Sequence, residues 1–169
     1  MENVWYQTND GLHLYPHTNC PEENTVTMGD IRSAFESIPV PESVIVVQPP
    51  GGETLVNFDT NFYTVAEPFT ATVTVLEHTV DFRIRPQSFG WHFGDGVDKT
   101  TTKPGAAYPK LEVTHRYRTK GEVEARVDTV WEAEYRLDGG GWAMVDGTVT
   151  KAGAAQSLRI RSATPILVD

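Results

Sequence analysis

A chain of 169 residues has room for one domain, or one domain with an appended segment. Hydrophobic residues are 39% and charged residues 22%, which is enough for a core and excludes disorder along the whole length. The formal net charge of -9 and a pI near 5.0 disfavour nucleic acid and anionic membrane surfaces as partners, because phosphate recognition runs on basic patches.

No run approaches the roughly 20 apolar residues that a bilayer span requires; the longest is Val44 to Val47. The single cysteine, Cys20, rules out an intrachain disulfide and leaves the redox compartment undetermined. Met1-Glu2-Asn3 opens with neither a basic start nor an apolar core, so no secretory signal is read there. By that reading the protein is either not secreted or a mature form with an added Met.

Residues 1–26 carry weak periodicity and many turn formers, and read as an irregular arm. Trp5, Tyr6, Leu12, Leu14 and Tyr15 make the arm too apolar to float free, so it is expected to pack on the domain or on another subunit. Residues 27–38 read as a helix. Thr27 stands three before Asp30, a capping-box start, and Met28, Ile31, Phe35 and Ile38 recur at helical spacing. Pro39 and Pro41 stop it.

From Ser43 onward the pattern is β. Val44 to Val47 precedes a hard turn at Pro49-Pro50-Gly51-Gly52, and 54–64 is a second extended stretch. Ala71, Val73 and Val75 alternate with Thr70, Thr72 and Thr74. Val80, Phe82 and Ile84 alternate with Asp81, Arg83 and Arg85. Pro86-Gln87 then breaks the run before Phe89, Trp91 and Phe93. The longest alternation lies at 122–137, with Val123, Ala125, Val127, Thr129, Trp131, Ala133, Tyr135 and Leu137 on one face. Glu122, Glu124, Arg126, Asp128, Glu132, Glu134 and Arg136 form the other face, interrupted only by Val130. A straight strand of that length would span roughly 50 Å, so a bend or bulge is predicted near Thr129–Val130. Asp138-Gly139-Gly140-Gly141 turns the chain, 142–151 returns antiparallel, and 157–161 and 166–168 add strand. The polar stretch between Gly96 and His115 reads as a surface loop with a short edge strand. Short strands and Gly/Pro punctuation predict an all-β fold, an antiparallel β-sandwich over 43–169, with residues 1–42 as arm and helix packed against it.

The most specific local pattern is Trp91-His92-Phe93-Gly94-Asp95-Gly96. Trp91 and Phe93, two apart, share one strand face. Gly94 and Gly96 flank Asp95 in a tight turn, where the aspartate can bond backbone N–H groups. With His115-Arg116-Tyr117, Gly121 and the alternation that follows, the pattern resembles the PKD (polycystic kidney disease-type) domain. The chain departs from that family's pattern at Val123, where Tyr is usual, and in the long insertion between Gly96 and His115. Gln48-Pro49-Pro50-Gly51-Gly52, Thr54-Leu55-Val56-Asn57, Phe62-Tyr63-Thr64 and Gly139-Gly140-Gly141-Trp142 extend a likeness to secreted PKD-containing proteins of actinobacteria. The resemblance implies an immunoglobulin-like sandwich, a secreted or cell-surface location, and a binding or structural role without assigned activity.

Trp91 and Phe93 are expected in the core, and His115 and Tyr117 on one strand face, the histidine bonded to backbone at a sandwich corner. No cofactor is expected, and Asp95 and Asp98 are the candidate ligands should Ca2+ bind, since clustered hard oxygens suit that ion. His13, His17 and Cys20 have a spacing that could converge on a metal if the arm is helical or tightly turned, with Glu22, Glu23 or a distant residue as a fourth ligand. The charged face at 122–136 reads as a solvated sheet face with cross-strand ion pairs, against an acidic docking strip. Trp142, Trp5 and Tyr6 are the candidate binding aromatics. No Gly-x-Ser-x-Gly and no oriented Cys–His pair supports nucleophilic catalysis. The expected function is a non-enzymatic extracellular or cell-envelope interaction module for a protein or surface component. The alternatives are a structural subunit of a surface filament, pilus or virion decoration, and a carbohydrate-binding module using Trp142 or Trp5.

Overall fold

The computed structural model describes residues 25–163, together with the backbone of 5–8 and 11–14. Within the segment expected to be irregular, β1 (Trp5–Thr8) and β2 (Gly11–Leu14) pair antiparallel as a two-stranded sheet. Four residues a side are too few to register as a periodic signal. Residues 166–168, expected to be strand, lie outside the described residues.

The helix α1 (Met28–Ser37) starts where its capping residues dictate. Thr27 Oγ1 accepts from the Asp30 N–H at 3.3 Å, and the Asp30 carboxylate accepts from the Thr27 N–H at 2.9 Å, so two orphan donors are satisfied reciprocally. Ile31 and Phe35 are buried, whereas Met28 is exposed at the helix start, its sulfur accepting from Tyr135 Oη at 3.1 Å.

The remaining elements are strands. In chain order they are β3 (Val46–Gln48), β4 (Glu53–Leu55), β5 (Thr60–Tyr63), β6 (Phe69–Val75), β7 (His78–His92) and β8 (Asp98–Thr101), then β9 (Thr114–His115), β10 (Gly121–Leu137), β11 (Ala143–Met144), β12 (Val149–Lys151) and β13 (Gln156–Arg161). The large sheet runs β4-β13-β10-β7-β6, with β8 pairing on β7 and with β11 and β12 pairing on β10; the small sheet runs β3-β5-β9. The fold is all-β but mixed, because β4 runs parallel to β13. A purely antiparallel arrangement was expected from the hairpin-like punctuation. β4 enters the large sheet from β3 of the small one, so no hairpin forces it antiparallel to its neighbour.

Two further expectations change in detail. The stretch 54–64 is two strands, β4 and β5, separated by a turn in which Asn57 adopts φ 62; Asn tolerates that left-handed conformation better than most residues. The return over 142–151 is two short pieces, β11 and β12, and the edge strand in the 97–114 stretch is β8.

β7 and β10 form the spine. Pro86-Gln87 does not end β7; it lies inside a continuous strand as a bulge. Val130 pairs with Ser88 and Trp131 with Pro86, so Gln87 is the extra residue and the predicted bend falls between Val130 and Trp131. A proline is tolerated there because a bulge locally suspends the ladder.

One face of this bent sheet carries both cores. Toward one end, Phe89, Trp91, Phe93, Ala125, Val127, Leu158 and Ile160 pack against Ile45, Val47, Phe62, Val113 and Tyr117 on and beside the small sheet. Toward the other, Val80, Phe82, Ile84, Trp131 and Ala133 pack against Ile31 and Phe35 of α1. Each such large side chain contributes about 1.5–3 kcal/mol by leaving water. The buried Thr54 and Thr60 hydroxyls, 2.6 Å apart, link the two sheets, and Ser43 bonds Thr129 at the same distance. Among the described residues no helix is long and apolar enough to cross a membrane.

Candidate binding site

The Trp-His-Phe-Gly-Asp-Gly turn is the centre of the first core. Trp91 is fully buried, with its Nε1–H donating to Thr101 Oγ1 of β8 at 2.9 Å. Gly94 has φ +83, and a Cβ there would lie 2.6 Å from the Glu124 carbonyl oxygen, so only glycine fits. Asp95 Oδ1 accepts from the Val97 N–H at 3.2 Å, as its turn requires. Its Oδ2 lies 2.7 Å from His115 Nε2. His115 therefore bonds a carboxylate where a backbone partner was expected. The cause is its ring position, stacked on Phe93 at 4.3 Å and 3°, which aims Nε2 at the turn. The Tyr117 Oη–H donates to the Phe93 carbonyl at 3.0 Å. Burial, with the Asp95 charge adding to it, pushes the Tyr117 phenol well up from its ordinary value.

Asp95 and Asp98 are turned to different histidines. Asp98 lies 3.0 Å from His92 Nδ1, and the Nε2 of that ring lies 3.1 Å from Asp128. Among the described residues no group of three or more His, Cys, Asp or Glu is placed to hold a metal ion. His17, Cys20, Glu22, Glu23 and the side chains of Trp5, Tyr6 and His13 lie outside the described residues.

Trp142 folds back over the polar face of β7 and β10. The Arg83 guanidinium carbon stands 3.8 Å from its ring centroid and that of Arg136 4.9 Å. The ring is thus half-buried and stacked by cations. The charged face beneath it is ion-paired across strands, Arg85 to Glu132 at 2.7 Å and Arg136 to Asp81 at 2.8 Å. These are the pairs a solvated sheet face requires.

A cleft that sequence reasoning missed opens at the outer face of the small sheet. Val47 and Phe62 point into the core, so their neighbours Gln48 and Asn61, paired in register, point the other way. Segment 104–111 covers them. The Asn61 Nδ2 donates to Gln48 Oε1 at 2.9 Å and to the Ala106 carbonyl at 2.8 Å, and the Tyr108 N–H donates to Gln48 Oε1 at 2.9 Å. Gly105, at φ +72, lets the segment approach this closely; a Cβ there would stand 2.5 Å from the Phe62 carbonyl oxygen. Asn61 is 1% exposed, and its Oδ1 has no hydrogen-bond partner, an omission that costs about 1–3 kcal/mol for a buried acceptor.

Above this floor the cleft has a volume of about 630 Å³, with Pro49, Pro50, Phe58, Tyr108 and Leu111 as apolar walls. Phe58 is 47% exposed, Leu111 50% and Tyr108 74%. A smaller groove of about 240 Å³ shares Pro49 and Phe58 and adds the exposed Leu55. Asp59 at the rim is clasped by Arg116 at 2.5 and 2.6 Å, which holds its carboxyl below the usual carboxylate range. The signal available in the sequence was two aromatics, Phe58 and Tyr108, set in Asn-, Asp- and Pro-punctuated turns outside any alternating strand.

The chain matches no family model, and no curated protein or solved structure is significantly similar to it.

Proposed function

We propose that this protein is a non-enzymatic interaction module of the cell exterior or envelope, built on a PKD-type immunoglobulin-like β-sandwich, and that it meets its partner through the Phe58–Tyr108 cleft. The carrying observation is the convergence of exposed apolar side chains. Leu55, Phe58, Tyr108 and Leu111 line two adjoining grooves that share Pro49. Contiguous apolar exposure of that kind marks interaction surfaces, where scattered single residues do not. The Trp91-centred packing between two sheets and the Asp95 turn support the PKD-type reading, and with it the exterior location that the resemblance implies.

The test is capture from the native envelope fraction or culture supernatant with the wild-type chain, Tyr108→Ala and Phe58→Ala. Both side chains are exposed, so both variants are expected to fold. A partner held by the wild type and lost from both variants supports the cleft. Equal capture by all three removes it.

A further inference from the structure

We infer that the free edge of β6 takes an extended strand of another polypeptide, one with an uncharged β-branched centre and basic ends. β6 closes one side of the large sheet, and among the described residues no strand pairs on its far side. Which backbone groups face outward follows from β7. Thr79, opposite Thr74, donates its N–H to Asp138 Oδ1 at 2.9 Å, and its carbonyl accepts from the Asp138 N–H at 2.9 Å. Thr74 and Thr79 therefore exchange no hydrogen bonds, and the N–H and C=O of Thr74 point away from β7. The alternation of an antiparallel ladder puts those of Thr72 and Thr70 on the same side. A row of unpaired donors and acceptors thus stands at the edge, the template that strand addition uses.

The side chains suit such a guest. Phe69, Ala71, Val73 and Val75 are half-buried against the second core, and Thr70, Thr72 and Thr74 are exposed. An added strand with apolar side chains at alternate positions extends that core sideways. Sheet edges are ordinarily guarded by shortness, charge or proline. β3, β4 and β9 are three residues or fewer, and β8 carries Asp98 and Lys99. β6 has seven residues, none of them charged and none proline.

Charge selects the occupant. Exposed Glu67 and Glu77 flank the strand, and among the described residues neither is ion-paired. Glu42 lines the same groove as Glu67. Arg83, opposite Thr70, is turned onto the Trp142 ring, and Asp81, opposite Thr72, is held by Arg136. With the chain at -9 overall, the edge favours a guest whose ends are cationic. A second copy laid antiparallel about Thr72 would set Glu67 of each chain against Glu77 of the other, like charge on like.

The full chain is titrated with two end-blocked peptides, Lys-Ser-Val-Thr-Val-Thr-Val-Thr-Val-Ser-Lys and the same sequence with Glu at both ends, by calorimetry and by amide NMR. The Lys-ended peptide is expected to slow hydrogen exchange at Thr70, Thr72 and Thr74, and to bind about tenfold more tightly than the Glu-ended one. Thr72→Pro removes the central outward N–H, a change tolerated on an edge strand where that group faces water, and should abolish binding. Glu67→Lys combined with Glu77→Lys, both on the surface, should reverse the preference between the peptides. Tyr108→Ala should leave binding unchanged, which separates this edge from the cleft. No binding by either peptide at millimolar concentration, equal binding by both, or an unreversed preference in the double variant overturns the proposal. Binding indifferent to Thr72→Pro, or lost in Tyr108→Ala, overturns it too. Sedimentation of the chain alone supplies the last outcome: dimers that Thr72→Pro dissociates would make the occupant a second copy and the proposal wrong.

Discussion

Trp131 of β10 lies opposite Pro86 of β7, while its neighbour Val130 lies opposite Ser88. Gln87 has no opposite number, and that single extra residue switches which positions of β7 face inward. Before it the buried residues are Val80, Phe82 and Ile84; after it they are Phe89 and Trp91. On β10 the inward set, Ala125 through Ala133, keeps one parity throughout. Deleting Gln87 would place Val80, Phe82 and Ile84 in one alternation with Phe89 and Trp91, so β7 would pair with β10 in simple register with the same side chains inward, losing only the bend. The expected result is a retained cooperative melting transition by circular dichroism, and loss of that transition would mean that the bend itself is required. Gln87→Ala, which gives up one 3.1 Å bond to Glu132 on an exposed face, should stay within about 0.5 kcal/mol of wild type.

Asp95 links the turn after Trp91 to the small sheet through His115. Asp95→Ala removes the acceptor for the Val97 N–H and for His115 Nε2 together. A hydrogen bond to a charged group is worth about 1.5–3 kcal/mol, and a loss in that range is expected in urea melts. His115→Phe keeps a ring against Phe93 and leaves the carboxylate short of its partner. A double-mutant cycle should therefore return a coupling of about 1 kcal/mol or more. Additive losses would mean that the stacking, not the Asp95 bond, holds the turn.

Much of the scaffold was readable from period alone. The capping pair Thr27 and Asp30, the inward set on β10 and the burial of Trp91 follow from spacing, because local sterics and one-sided burial act residue by residue. The parity change from Ile84 to Phe89 was also present in the sequence, and a bulge is its simplest physical cause. A break was expected there because proline ordinarily ends ladders. The parallel β4–β13 pair and the His115–Asp95 bond were not readable, since both depend on where distant segments meet. The cleft was hidden for the same reason. Gln48, Asn61, Phe58 and Tyr108 come from three separate stretches of chain, and nothing at any one of them says that Asn61 keeps an acceptor unpaired.

Acid should destabilise the fold through identified carboxylates. Asp138 is held below its ordinary value by His78 and by the Thr79 N–H, and Asp81 by Thr72 and then Arg136. A depressed folded value means that the unfolded chain takes up the proton first as pH falls. The stabilisation is thus full above the unfolded value of about 3.9 and is lost as pH drops through the folded one. The melting temperature is expected to hold from neutrality to about pH 5 and to fall below it. Asp138→Asn keeps a residue that tolerates the φ of 45 at this turn. It should lower the melting temperature at pH 7 and shrink the difference between pH 7 and pH 3. An unchanged acid limb would exclude Asp138 from it.

The cations on Trp142 make a spectroscopic prediction. Trp91 and Trp131 are fully buried, so a quencher in water reaches neither. Arg83→Ala takes a guanidinium from 3.8 Å above the Trp142 ring. With Trp5 replaced by Phe as background, acrylamide quenching should rise and the emission should move to the red. The stability cost should be small, about 0.5–1 kcal/mol for an exposed cation–π contact. Quenching that does not change would place the ring under cover from Arg136 or the sheet itself.

At the alkaline end one tyrosine should stand apart from the others. Tyr117 is 1% exposed, and its hydroxyl donates to the Phe93 carbonyl beside the Asp95 carboxylate. Ionising it would bury a charge, break the donated bond and set two anions together, so the neutral form is favoured. In the unfolded chain the same phenol ionises at about pH 10. Because the folded value is raised, the contribution to stability is complete below that pH and is lost as pH climbs from it toward the folded value. Absorbance at the phenolate band, followed through an alkaline titration, should then report on Tyr117. Tyr117 should appear only with unfolding, as a late step coincident with loss of the circular dichroism signal. In Tyr117→Phe that step should vanish. The variant should lose about 0.5–1.5 kcal/mol at pH 7 for the missing hydrogen bond, yet resist alkali better in relative terms. A Tyr117 that ionises while the fold persists would mean that the Phe93 carbonyl and the core around it do not enclose the phenol.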